Sequence, residues 1–186
     1  MKKIVSIIAV LAFATAAQAA VTTTVTSAPT VGLAGYTTYT VNFTTDVGVL
    51  TAVEADITGP LNQRNPFGMP SIWMDSNGAM AAAGFDVSQD SQMLFLSSDG
   101  PVGLALESPT ALHGAMAFLA GSPYLVPSLD VVQVCVADGD SVVLGGFTSV
   151  LVDGDAVEIP EMTIPEPASL ALLGMGGFGV LLRRKR

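Results

Sequence analysis

The chain has 186 residues, one cysteine, one histidine and a formal charge of −9. Two of its seven cations are Lys2 and Lys3 and four are Arg183, Arg184, Lys185 and Arg186, so residues 20–164 hold Arg64 alone against fifteen carboxylates. Such a body cannot neutralise phosphates and is repelled by anionic headgroups, which argues against nucleic acid and favours cations, above all calcium, or neutral and cationic polymers; the same charge keeps a secreted protein soluble.

At the N-terminus, Lys2 and Lys3 precede an apolar run from Ile4 to Ala17, interrupted only by Ser6 and Thr15. Ala17-Gln18-Ala19 closes it with the small-x-small pattern that signal peptidase accepts. These are the three parts of a secretory signal peptide, and the run is short for a permanent span. Residues 1–19 are read as a signal helix, cut between Ala19 and Ala20, with Ala20/Val21 the alternative point.

The body, residues 20–160, reads as an all-β domain. Tyr39, Val41 and Phe43 alternate with Thr38, Thr40 and Asn42, the period of a half-buried strand. Val47, Val49, Val53, Ala55 and Ile57 share one parity, with Glu54 and Asp56 on the other, and predict a second strand. Further strands are expected over Thr22–Thr26, Gln92–Ser97, Gly114–Leu119, Val131–Ala137 and Ser141–Val152, the last bending at Gly145-Gly146. Turn signals at Gly59-Pro60, Asn65-Pro66, Asn77-Gly78, Asp99-Gly100-Pro101, Ser122-Pro123, Asp138-Gly139 and Asp153-Gly154 separate them. The one helix candidate is Asp75–Ala83. Many short strands between regular turns predict an antiparallel β-sandwich, jelly-roll or immunoglobulin-like. Its general look is similar to cohesin-type and carbohydrate-binding-module sandwiches, a likeness of fold that carries no function.

Catalytic groups are sparse. His113 lies in no nucleophile motif and reads as a surface or boundary residue. No Gly-x-Ser-x-Gly elbow is present, and one histidine with one cysteine cannot make a zinc site. Carboxylates are numerous, so glycoside hydrolysis is open on residue type, but a body of this size without a clear aromatic cleft points to a non-enzymatic protein. Trp73, the only tryptophan, and Tyr124 form a candidate sugar-stacking platform, with a core position the competing reading for Trp73. Cys135, within Val131–Val136, reads as a small buried hydrophobe; with a single cysteine, no internal disulfide supports the fold. Asp138-Gly139-Asp140 and Asp153-Gly154-Asp155, followed by Glu158, set carboxylates around loop glycines and are candidate calcium ligands. Neither stretch follows the Asp-x-Asp-x-Asp-Gly loop, and Asp-Gly is equally a hairpin turn.

The C-terminus is the most specific segment. Pro165-Glu166-Pro167 cannot continue a strand ladder or enter a helix interior, so residues 161–167 read as a linker. Ala168–Leu182 holds fifteen residues without a charge, on the short side of the about 17–25 that cross a bilayer as a helix, and Arg183, Arg184, Lys185 and Arg186 would stay on the cytoplasmic side. A Pro-Glu-Pro box, a Gly-rich hydrophobic stretch and a terminal basic cluster, in that order, resemble the PEP-CTERM sorting signal. The resemblance covers residues 164–186. It implies an exported protein of a Gram-negative exopolysaccharide maker, whose tail is read by a membrane-embedded exosortase. The expectation is therefore a protein in transit through the inner membrane to the envelope surface or extracellular matrix. Its partners would be signal peptidase, exosortase and extracellular polysaccharide, and its body would be structural or adhesive. Alternatives are a carbohydrate- or calcium-binding module and, behind these, a secreted hydrolase.

Overall fold

A computed structural model describes residues 20–64, 72–99 and 102–164. The signal segment, the Asn65-Pro66 and Gly100-Pro101 turns and the tail from Pro165 lie outside the described residues.

Among the described residues, eleven strands and one α-helix follow each other in the order β1 (Val21–Pro29), β2 (Tyr36–Thr45), β3 (Leu50–Thr58), α1 (Met74–Ala82), β4 (Gln92–Met93), β5 (Val102–Ser108), β6 (Ala111–Ala117), β7 (Ser128–Ala137), β8 (Val142–Leu144), β9 (Ser149–Val152), β10 (Asp155–Glu158) and β11 (Met162–Ile164). They form two antiparallel sheets. One has the order β1-β2-β7-β4; the other runs β10-β9-β3-β6-β5, with β8 also paired to β3 and β11 paired to β8. The predicted β-sandwich is therefore observed, without barrel closure.

Alternation explains where the core sits. Tyr39, Val41 and Phe43 of β2 face inward, as do Val53, Ala55 and Ile57 of β3, Leu112 and Met116 of β6, and Val132, Val134 and Val136 of β7. On β2, β3 and β6 alternate side chains turn in against the opposite sheet, and removal of this apolar area from water stabilises the sandwich.

The structure departs from the sequence reading in several places. Val47 and Val49 are not inward. Val47 is 50 % exposed and Leu50 is fully buried, because the register slips between Leu50 and Ala52 and the slip exchanges parity. Residues 46–49 instead carry the chain from one sheet to the other, with Gly48 at φ +68° and no room beside Asp153 for a β-carbon. The stretch predicted as Ser141–Val152 breaks at Gly145-Gly146 into β8 and β9, which lie along the same edge of β3. Strands β5, β10 and β11 were not expected. β11 also corrects the boundary placed at 160: the folded body runs on to Ile164, inside the segment read as linker. Helix α1 falls within one residue of the expected one at each end, with Trp73 at its N-terminus held by a bridge to Met93.

Candidate functional site

The outward face of the larger sheet collects the polar chemistry of the body. Register places Asp56 of β3 opposite His113 of β6, and His113 opposite Leu106 of β5. One row along, Glu54 lies between Ala115 of β6 and Ser149 of β9; the next row is Ala117, Ala52 and Leu151. His113 is 6 % exposed, with Nε2 3.5 Å from Glu54 Oε1 and Nδ1 3.6 Å from Asp56 Oδ1. Both separations exceed a direct hydrogen bond, and Nε2 has no hydrogen-bond partner. The boundary position expected for His113 is therefore corrected: the ring is buried between two acids. The signal was present in the sequence as Glu54 and Asp56 two apart on one strand, but the strand that pairs with β3 was not legible.

The β8–β9 turn closes one side of this cluster. Thr148 Oγ1 donates to the Gly145 carbonyl at 2.8 Å and accepts the Asp56 amide at 3.0 Å. Gly146 has φ +62°, and a β-carbon there would meet the Asp56 carboxylate. The adjacent Phe147 is 77 % exposed.

Small side chains make the neighbouring surface concave. Ala52, Ala115 and Ala117 floor a hollow of about 340 Å³ edged by Glu54, Ser149 and Leu151. A second hollow, about 290 Å³, joins Glu54 and Ser149 to Phe147, Thr148 and Glu158. Glu54 and Ser149 belong to both, so the two adjoin as a groove bearing two carboxylates, two hydroxyls and an exposed ring.

The candidate calcium ligands do not gather. Asp138-Gly139-Asp140 is the β7–β8 turn, where Asp138 Oδ1 accepts the Thr37 hydroxyl at 2.9 Å. Asp153-Gly154 is the β9–β10 turn, and Asp153 Oδ1 accepts the Val49 amide at 3.1 Å. Strand directions put these turns at opposite ends of the sandwich, with Glu158 midway in the groove. Among the described residues, no three His, Cys, Asp or Glu side chains form a group able to hold a metal ion.

Of the two readings of Trp73, the structure bears out the core position and not the sugar-stacking platform with Tyr124. Trp73 is 6 % exposed, and its ring centre stands 5.6 Å from that of Phe95. Phe95 in turn contacts Phe118 and Tyr124, whose hydroxyl accepts the Leu96 amide. These rings form an interior cluster. Cys135 is buried as expected, but on the face of its sheet turned away from the main core, with Sγ 3.4 Å from the Thr30 hydroxyl. Burial pushes its thiol above the ordinary range, so it is a weak nucleophile at neutral pH.

A two-sheet body followed at once by a Pro-Glu-Pro box and a basic-ended hydrophobic stretch defines an exported, tail-sorted β-sandwich protein. Residues 163–186 match the PEP-CTERM protein-sorting motif, so the chain carries the tail that directs exported proteins through an exosortase to the cell surface or beyond. No curated protein and no solved structure matches the chain. Among the described residues no helix is long and apolar enough to cross a membrane; the predicted span Ala168–Leu182 lies outside them.

Proposed function

We propose that this is a non-enzymatic surface or matrix protein whose β-sandwich body serves as a structural or adhesive module in the extracellular polymer layer. The signal peptide would start export, cleavage at Ala19–Ala20 would free the body, and the exosortase would process the tail after inner-membrane transit. One observation carries the reading: the sorting motif begins at Thr163, within the last strand of a folded body, so what is sorted is the sandwich itself. A strongly acidic, Thr-rich surface with a single cation suits a solvated matrix component. Intact mass of envelope and medium fractions, from strains with and without an exosortase, tests it. Loss of the C-terminal segment only where the exosortase is present is the expected result; a full-length tail in both would make Ala168–Leu182 a plain anchor.

A second reading, a carbohydrate-binding module, is favoured by the groove. Phe147 offers a ring face for a sugar, and Glu54, Ser149 and Glu158 offer hydrogen-bond acceptors beside it.

A further inference from the structure

The end of β11 fixes which side of the body faces the machinery that reads the tail. Ile164 is 1 % exposed, belongs to the main core, and is paired with Val142 of β8. Rigid structure therefore continues to the residue before Pro165. Four Cα steps separate Ile164 from Ala168, the first residue of the uncharged stretch, and they reach at most about 14 Å when fully extended. The body cannot stand clear of the membrane or of a membrane-embedded enzyme while the tail is intact.

Strand directions identify the end concerned. β3 finishes where β8 begins, and Gly59 donates to the Thr110 carbonyl at 3.0 Å. A β-carbon on Gly59 would meet the Ser141 carbonyl at 2.9 Å. Asp138 donates its amide to the Gly35 carbonyl, which brings the β1–β2 loop to the same end. The opposite end holds Val47 and, through its bonds to Asp46, Ala20. The β11 end is exposed at Val31, Pro60, Thr110, Asp138 and Asp140; the Arg64 guanidinium lies beside it, donating to Gln89, whose amide donates to the Val31 carbonyl.

We infer that the loop end of the sandwich around Pro60, Thr110 and Asp140 is a docking face for the extramembrane surface of the exosortase, held there by the short reach from Ile164 to Ala168. The inference rests on the sorting reading and goes beyond it, because it assigns a surface of the body to the encounter. The enzyme would meet the folded sandwich and the Pro-Glu-Pro box together, with the mature N-terminus pointing away.

The test places a photo-crosslinking residue in the full chain at Thr110 or Asp140, and for comparison at Val47 or Leu119 at the far end, in cells with the exosortase. Adducts with the enzyme from positions 110 and 140, and their loss at 47 and 119, are expected. A flexible Gly/Ser insertion between Ile164 and Pro165 should abolish the adducts at 110 and 140 while tail removal continues, since a longer linker frees the body. Equal adducts from both ends, or adducts that survive the insertion, would overturn the docking face and leave the sorting reading standing. An uncut wild-type tail with no adducts anywhere would overturn the sorting reading, and the docking face with it.

Discussion

Gly114 of β6 lies directly beneath Trp73: a β-carbon on that glycine would stand 2.9 Å from Trp73 Cη2 and 3.2 Å from two side-chain atoms of Met93. The glycine is the space into which the indole packs. A strand interior ordinarily disfavours glycine, and here its missing side chain lets the segment before α1 close over the core.

Gly114→Ala should therefore destabilise the body by about 1–3 kcal/mol, the usual cost of overpacking, read by chemical denaturation of residues 20–164. Gly78 on exposed α1 has open space around it, and Gly78→Ala should instead stabilise by about 0.5–1 kcal/mol. If both substitutions shift the midpoint alike, Gly114 is not shaped by Trp73.

Thr148 ties the β8–β9 turn to β3 through its bonds to Gly145 and Asp56. Thr148→Val keeps the shape and removes both bonds, and should cost about 1–3 kcal/mol because the polar groups it served stay partly buried. Hydrogen exchange should rise at the Asp56 amide in particular. Protection unchanged there would show that the turn stands without the hydroxyl.

Cys135 should resist a thiol reagent in the folded protein and react at once on unfolding, since it is fully buried. Its thiol is raised by burial and lowered in smaller part by the hydroxyls of Thr30 and Thr38. The unfolded thiol loses its proton first, so this contribution to stability is complete below the ordinary thiol pKa of about 8.5 and is lost as pH rises through the folded value. Cys135→Ser should flatten that alkaline decline; an equally steep decline would assign it to other groups.

Ile164 belongs at once to the core and to the sorting motif. Ile164→Ala should cost about 2–5 kcal/mol, as buried truncations do, in a protein whose tail has been removed. A change well below that range would mean that β11 is a loosely held flap rather than the last strand of the body.

Groove binding separates the two functional readings. Phe147→Ala and Glu54→Gln should each weaken binding of the producer's own extracellular polysaccharide, measured by calorimetry, if the groove is a sugar site. Glu54→Gln combined with Glu158→Gln should leave glycan turnover unchanged at background. Turnover that falls on either substitution would convert the body into a hydrolase.

Much of this was legible in the chain itself. The signal at the C-terminal end is local: charge, apolar length and proline residues act within a few positions, and residues 163–186 match the motif that their order implied. The sandwich class was equally local, carried by the alternation through Tyr39, Val41 and Phe43 and by glycine turns such as Gly145-Gly146. Other features depended on partners distant in sequence. Strand β11 has three residues and no pattern of its own, and it forms because Ile164 finds Val142 and the core. Parity at Val47 and Val49 was inverted by a register slip that only pairing with β9 imposes. His113 became a buried ring between Glu54 and Asp56, and the two Asp-Gly-Asp turns fell at opposite ends, because strand order sets which positions meet. Local chemistry thus determined where the chain is sent, while the sheets decided which surface it presents: the first acts over neighbouring residues, and the second requires loops to close over many.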